Sequence, residues 1–164
     1  NQSAGTITVT GDATYAGATS SLTGGTLELQ KNFTYTGDGT KLFSANSGHT
    51  TRFSGAADIA RSLTWSGDGS SAFGQLEFGT AGAGGVTLAG STLTMTMAHL
   101  KVLANGKFTV PTGYVLTTGG TSTFGVNVLS SGTLVNSGTI NVTGNLACTA
   151  LLTGTVDGVS CLTP

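Results

Sequence analysis

Residues 32–70 read NFTYTGDGTKLFSANSGHTTRFSGAADIARSLTWSGDGS, and one turn sequence occurs twice within them. The two copies are Gly37-Asp38-Gly39-Thr40 and Gly67-Asp68-Gly69-Ser70, and a related turn, Gly11-Asp12-Ala13-Thr14, precedes them. The three turns recur at two intervals of similar length. An internal period of roughly 20–50 residues is typical of stacked repeat architectures, and both intervals lie in that range. The spacing therefore predicts a β-solenoid in which each repeat forms one coil.

The aromatic residues between these turns suggest the shape of a coil. Phe33, Phe43, Phe53 and Phe73 follow a ten-residue spacing, and Leu63 occupies the remaining position. Three strand-and-turn segments of this length match the interval between the two Gly-Asp-Gly turns, which indicates a triangular coil with three short faces. We predict an all-β, single-domain β-solenoid of about six coils. An antiparallel β-sandwich is the alternative, because it explains the ten-residue spacing but not the recurring turn.

Apolar and polar residues alternate along most of the chain, which is the pattern of half-buried strands. Thr and the branched apolar residues that dominate these segments also suit a pleated surface. Pairs of turn residues such as Gly24-Gly25 and Asn105-Gly106 separate the segments. Residues 95–104 lack glycine, but their apolar positions alternate, so we predict a strand there too. The predicted strands include residues 6–10, 26–30, 74–78, 86–88, 91–97, 99–103 and 139–143.

Charge is scarce and unevenly distributed. Charged residues make up 8% of the 164 residues and the net charge is −1, whereas about 25% is usual in soluble domains. After Lys107 the only charged residue is Asp157. Such a chain has no long-range field to attract nucleic acid or an anionic membrane. A nearly neutral surface also favours association between copies.

The two cysteines, Cys148 and Cys161, lie near each other in sequence and close to the C-terminus. We expect a disulfide between them, with two buried thiols as the alternative, and zinc is not expected because further ligands are lacking nearby. We therefore divide the chain into one solenoid domain, residues 1–164, with residues 147–164 as a disulfide-closed C-terminal cap. No apolar run reaches the length of a transmembrane helix. The chain starts without Met, which we interpret as a processed secreted protein or an excerpt.

The acidic residues do not form an evident catalytic or metal site. Asp12, Asp38 and Asp68 would align along one edge if the period were regular in space, and three stacked carboxylates can bind calcium. Asp is also a common turn residue, and we favour that structural explanation. Glu28 and Glu77 occupy outward strand positions, where we expect them to act as solubilising residues. We therefore predict no metal and no cofactor.

The histidines and aromatic residues give no stronger signal of chemistry. The sequence lacks a nucleophile elbow that His49 or His99 could serve, and both are expected to be exposed. Phe33, Tyr35 and Trp65 could stack on a sugar, but we expect them to be core residues stacked between coils. We predict that the protein is not an enzyme.

Segment 25–90 resembles the repeats of large secreted or surface-displayed bacterial proteins with adhesin-like β-solenoid folds. The resemblance is carried by Gly25-Thr26-Leu27-Glu28-Leu29, Asn32-Phe33-Thr34, His49-Thr50-Thr51-Arg52-Phe53-Ser54-Gly55, Phe73-Gly74-Gln75-Leu76-Glu77 and Gly85-Val86-Thr87-Leu88. Such proteins are structural or adhesive, so the resemblance implies a secreted or cell-surface location and no catalytic residue.

The function we predict is self-assembly into a filament or surface layer, with copies of this chain as the partner. An uncapped solenoid end exposes unpaired backbone groups that another strand can bind. The predicted contact surfaces are the strand at residues 6–10 and the coils at residues 133–159. The predicted assembly residues are Thr6, Ile7, Thr8, Val9, Thr10, Leu134, Ile140, Val142, Leu151 and Leu152.

The alternative function is an adhesin-like module that binds ice or carbohydrate, including cell-surface glycans, through a Thr-rich face. Thr-x-Thr arrays such as Thr92/Thr94/Thr96 would supply that face. These arrays do not recur once per coil in the sequence, so we rank this alternative second.

Overall fold

The structure of the protein, a computed structural model, describes residues 1–17, 19–37, 42–56, 60–66, 71–79, 85–91, 94–119, 125–143 and 152–157. These residues form strands and turns, and no helix occurs among them. The strands are β1 (Thr6–Val9), β2 (Ala13–Tyr15), β3 (Thr26–Leu29), β4 (Phe33–Tyr35), β5 (Thr50–Phe53), β6 (Arg61–Trp65), β7 (Ala72–Phe78), β8 (Val86–Ala89), β9 (Thr94–Val102), β10 (Lys107–Val110), β11 (Val115–Gly119), β12 (Val126–Asn136), β13 (Thr139–Thr143) and β14 (Leu152–Asp157).

All strand pairs in the described part of the chain are parallel, and paired strands are never direct neighbours in sequence. β1 pairs with β3, β3 with β5, and β5 with β7, while β2, β4, β6 and β8 form a second series. This is the pairing of a chain that winds repeatedly around one axis. The predicted β-solenoid is confirmed, with about five turns, and the antiparallel sandwich is wrong.

The coils have three faces, as the ten-residue spacing predicts. Strands β7, β9 and β12 pass around a corner, so each contributes to two faces. Face 1 consists of β1, β3, β5, residues 75–78, residues 99–102 and residues 126–128. Face 2 consists of β2, β4, β6, β8, β10 and residues 133–136. Face 3 begins with bridges at Gln2, Leu22, Ala45 and Ser44 and continues through residues 72–73, residues 94–97, β11 and β13.

The length of a coil varies more than the sequence suggests. Thr6 pairs with Thr26, whereas Phe33 pairs with Leu63. The later coil therefore contains one and a half times as many residues as the first. The first Gly-Asp turn is also not equivalent to the second. Asp12 lies immediately before β2, at the corner between faces 1 and 2, whereas Gly37 follows β4 at the far end of face 2. The predicted equivalence of these two turns was therefore wrong.

The core occupies the interior of the coils. Phe33, Phe43, Phe53, Leu63 and Phe73 are all almost fully buried, on faces 2, 3, 1, 2 and 3 in turn. Aromatic rings from successive coils stack along the axis, with Phe78 and Phe108 separated by 3.9 Å at an interplanar angle of 7°. The ten-residue spacing thus records the passage of the chain from one face to the next.

The C-terminal part of the described chain continues the same winding. Leu152 of β14 pairs with Val128, and Gly154 pairs with Gly132 after a register shift, so β14 forms one more rung. Cys148 and Cys161 lie outside the described residues, so the disulfide and the closed cap remain predictions.

Candidate assembly site

Within the described residues, the backbone of β1 is paired on one side only. Among the described strands, β1 pairs only with β3, and it therefore forms the N-terminal end of face 1. The carbonyl oxygen of Gly5 accepts a hydrogen bond from Thr26 N at 2.8 Å, and that of Val9 accepts one from Gln30 N at 2.9 Å. Because successive residues of a strand direct their peptide groups to opposite sides, those of Thr6 and Thr8 face away from β3. We call this side of β1 the N-terminal edge.

The same arrangement holds on face 2. Ala13 N donates to the carbonyl oxygen of Asn32 at 2.9 Å, and the carbonyl of Tyr15 accepts from Thr36 N at 3.2 Å. Thr14, between them, therefore directs its peptide group away from β4. Natural edge strands are often protected by charged residues or proline. Neither β1 nor β2 contains either kind of residue.

Apolar side chains of the first coil complete this end of the molecule. Ile7 is 51% exposed, and among the described residues it is the one large hydrophobic residue that is exposed. Val9, Ala13 and Tyr15 are partly buried against the core. The ring of Tyr15 contacts Tyr35 at 6.1 Å between centroids, so Tyr15 ends an aromatic column. Among the described residues, the second coil covers the side chains of Val9, Ala13 and Tyr15 on one side, and no coil covers them on the other.

The segment that leads into β1 is held in place by Gln2. This side chain is buried, and its Nε2 donates to the carbonyl oxygens of Gly5 and Thr26, both at 3.1 Å. The backbone N of Gln2 also donates to the carbonyl oxygen of Ser21 at 3.1 Å. These bonds therefore hold the segment before β1 against the second coil.

A ladder of charged side chains stands on the outer surface of face 1. Glu28, Arg52, Glu77 and Lys101 occupy the same position on successive rungs, so acidic and basic residues alternate. We call this set the charge ladder. The carboxylate of Glu77 is 2.8 Å from Arg52 Nε and 3.5 Å from Lys101 Nζ. The rungs at its two ends are neutral, with Thr8 beside Glu28 and Asn127 beside Lys101.

Glu77 differs from its predicted solubilising role. It does point outward from the strand, but it is only 4% exposed because Arg52 and Lys101 cover it from the rungs on either side. Glu28 is half-buried, and its Oε1 accepts a hydrogen bond from Ser54 Oγ at 2.7 Å. Both glutamates hold neighbouring rungs together.

The candidate catalytic residues that the structure describes do not come together. His49 is fully buried, contrary to expectation, and its Nδ1–H donates to the carbonyl oxygen of Gly24 at 3.0 Å. His99 lies on β9, two rungs away from the rung of Thr50. Asp12 accepts hydrogen bonds from Asn32, while Asp38 and Asp68 lie outside the described residues. Within the described ranges, no three His, Cys, Asp or Glu residues are placed to bind a metal ion.

The predicted assembly residues fall into three groups. Thr6, Ile7, Thr8 and Val9 form β1, and Thr10 follows it directly at an exposed position. Ile140 and Val142 lie half-buried on β13, which pairs only with β11 among the described strands and so ends face 3.

The remaining predicted residues are placed differently. Leu134 is fully buried, in a part of β12 that lies between β10 and β14, so it belongs to the core. Leu152 begins β14, and Leu151 lies outside the described residues. The alternation of the sequence could not separate an end strand from an inner one, since both show the same pattern.

Threonines form a regular outer surface on faces 2 and 3. Thr14, Thr34 and Thr64 are in register on three successive coils, so threonine does recur once per coil there, contrary to the sequence analysis. On face 3, Thr96 pairs with Thr117, which pairs with Asn141. The buried neighbours Met95, Met97 and Leu116 point inward, and the outer surface of these three rungs is uncharged.

Comparison of the chain with protein-family models, with curated proteins and with solved structures finds no match. In the parts of the chain that the structure describes, no helix is long and apolar enough to span a membrane. Function is therefore inferred from the edge strands, the charge ladder and the threonine surface.

Proposed function

We propose that this chain is an extracellular structural protein that polymerises head to tail through backbone pairing between the ends of successive solenoids. The observation that carries this proposal is the N-terminal edge, where unpaired peptide groups of β1 lie beside the exposed Ile7. A strand added there would gain main-chain hydrogen bonds and would cover apolar surface at the same time.

The geometry of such a contact favours a filament. In a head-to-tail arrangement the edge of β1 meets a different surface of the next copy, so the contact is heterologous. Because each copy would continue the coils along one axis, the contact would repeat as an open filament and not as a ring. Electrostatics would not oppose it on face 1, because the rungs at the two ends of the charge ladder carry the neutral residues Thr8 and Asn127.

A secreted or cell-surface location and a structural role without catalysis complete the proposal. They are supported by the likeness of segment 25–90 to adhesin-like solenoid repeats and by the scarcity of charge in a Thr-rich surface. The buried position of His49 and its separation from His99 also argue against a shared catalytic site.

The substitution Thr8→Pro tests the proposal directly. Thr8 N–H faces the free side of β1, so proline removes one donor for an incoming strand without removing a hydrogen bond to β3. Edge strands tolerate proline at such positions. We expect wild-type protein to form filaments in electron micrographs and the variant to remain monomeric in sedimentation, with a thermal unfolding midpoint close to that of wild type.

Thr8→Val is the matched control, since it keeps the N–H and a similar side-chain shape and should still form filaments. The proposal is wrong if wild-type protein stays monomeric at high concentration. It is equally wrong if Thr8→Pro filaments are as abundant as those of wild type.

A binding module that uses the outer surface of face 3 is the second candidate. The in-register set Thr96, Thr117 and Asn141, together with Thr94 and Thr139, favours it, because it presents an uncharged grid of hydroxyl and amide groups. Thermal hysteresis or glycan binding by monomeric Thr8→Pro protein would support this function, and loss of that activity in Thr117→Lys would locate it. If the monomer shows neither thermal hysteresis nor glycan binding, this second function is excluded.

A further inference from the structure

The free side of β1 is complementary to a second copy of itself. Among the described strands β1 pairs only with β3, and the peptide groups of Thr6 and Thr8 point to its other side. Each of these two residues presents both an N–H and a C=O there. A half rotation about Ile7, which lies between them, exchanges Thr6 with Thr8. The free donors and acceptors therefore lie where an antiparallel copy of β1 requires them.

We infer that the N-terminal edge pairs with the N-terminal edge of a second copy, in the antiparallel register that places Ile7 opposite Ile7. In this register Thr6 lies opposite Thr8 of the second copy, and each such pair exchanges two backbone hydrogen bonds. The two Ile7 residues form the non-hydrogen-bonded pair between them, where side chains approach most closely. The contact is isologous, so it closes as a dimer with a two-fold axis at Ile7.

The apolar side chains of β1 suit this contact. Ile7 is in register with Leu27 on the inward row of face 1, yet it is 51% exposed. Because the two-fold axis is perpendicular to face 1, both copies of Ile7 would point inward and cover each other. Val9 would lie opposite Gly5 of the second copy. A Cβ at Gly5 would meet nothing within 4 Å, so the space beside it is open to Val9.

The charge distribution permits a strand to pair with its own copy. Like charges on directly opposite residues destabilise a strand pair, and residues 1–11 carry no charged side chain. Asp12 follows β1 at the corner with face 2, so the two copies of Asp12 would lie at opposite ends of the paired strands. Its Oδ1 accepts hydrogen bonds from the backbone N and Nδ2 of Asn32 in its own copy.

This dimer uses the same edge as the proposed filament contact, so one copy can make only one of the two contacts at a time. The inference goes beyond the proposed function and does not require filaments to form. Where both contacts occur, the dimer competes with filament growth, because it leaves neither of its N-terminal edges accessible.

Cysteine crosslinking tests the register. Ile7→Cys would bring two Cα atoms to about 4.5 Å, within the range of a disulfide. Thr10→Cys is the control, because Thr10 is also exposed but its two copies would lie roughly 20 Å apart. After oxidation we expect a covalent dimer joined through position 7 and none joined through position 10. Mass spectrometry of the digested protein separates these bonds from any that involve Cys148 or Cys161.

Charge substitutions at Ile7 test the same contact in solution, with sedimentation as the assay. Ile7→Glu would place two carboxylates directly opposite each other, so the dissociation constant of the dimer should rise at least about tenfold. Ile7→Lys should weaken the dimer similarly. Mixing the two variants should restore dimers, since opposite charges stabilise a cross-strand pair. A head-to-tail contact does not predict this rescue, because position 7 of one copy does not meet position 7 of another.

The inference is overturned if oxidation joins Thr10→Cys as readily as Ile7→Cys, or if the mixed charge variants stay monomeric. Filaments of wild-type protein without any bond between two copies of Ile7→Cys would refute the dimer and leave the proposed polymerisation intact. A dimer joined through position 7 in a protein that forms no filaments would support the inference and refute polymerisation.

Discussion

Substitution of Glu77 by glutamine tests whether the charge ladder stabilises the fold. Glu77 Oε2 lies 2.8 Å from Arg52 Nε and 2.7 Å from Arg52 Nη2, and Oε1 lies 3.5 Å from Lys101 Nζ. The glutamate side chain is 6% accessible, whereas Arg52 and Lys101 are 40% and 36% accessible. Glutamine keeps the shape but removes the charge that both cations face.

The size of the effect follows from this mixed burial. Removing one partner of a buried ion pair costs about 3–5 kcal/mol, whereas an exposed pair contributes at most about 1 kcal/mol. Because water reaches both cations, they can recover part of their solvation in the variant. We therefore expect Glu77→Gln to reduce the free energy of unfolding by about 2 kcal/mol, between the two limits.

Urea unfolding provides the assay, with Glu28→Gln as the matched control on the same ladder. Glu28 is half-buried and accepts from the hydroxyls of Ser54 and Thr8, at 2.7 and 3.5 Å. Its replacement should cost less than about 1 kcal/mol. With equal slopes against urea, the shift in midpoint measures the difference in stability. Equal midpoints for the two variants would refute the role assigned to the burial of Glu77.

Two further substitutions test the packing between coils, both by thermal unfolding. Gly74→Ala would place a Cβ against the carbonyl oxygen of Asn46, so we expect a loss of about 3 kcal/mol or more, whereas Gly11→Ala, which meets nothing within 4 Å, should be nearly neutral. Phe78→Ala removes the ring stacked 3.9 Å from Phe108 and should cost about 3–5 kcal/mol, with a smaller loss for Phe78→Leu. The packing described would be contradicted if Gly74→Ala and Gly11→Ala had similar thermal unfolding midpoints. It would also be contradicted if Phe78→Ala and Phe78→Leu did.

Much of the architecture could be predicted from local sequence patterns. Alternation along residues 94–102 correctly indicated a strand, because apolar side chains at every second position require the period of a strand. The spacing from Phe33 through Phe53 to Phe73 indicated three faces, since each residue fills the interior of a different one. These signals are local or strictly periodic, so they can be recognised in one sequence.

The features that were missed depend on partners distant in sequence. Glu77 is covered by Arg52 from the preceding coil and by Lys101 from the following one, and no local pattern records that coverage. Likewise, Asp12 and Asp38 have similar neighbours in sequence, but no local pattern shows that Asp12 precedes β2 whereas Gly37 follows β4. The free edge of β1 was anticipated only from its position near the start of the chain.

The unequal coil lengths show that the register of the strands does not depend on the length of the connections between them. Rungs stay in register whether the chain between partners is short, as from Thr6 to Thr26, or long, as from Phe33 to Leu63. The connections therefore absorb the difference, and the strands set the rise along the axis. Peptides inserted at a corner should be displayed at a defined height on the molecule without disturbing the coils above and below. A scaffold with this property could carry guest sequences in rows, each offset from the next by one strand spacing.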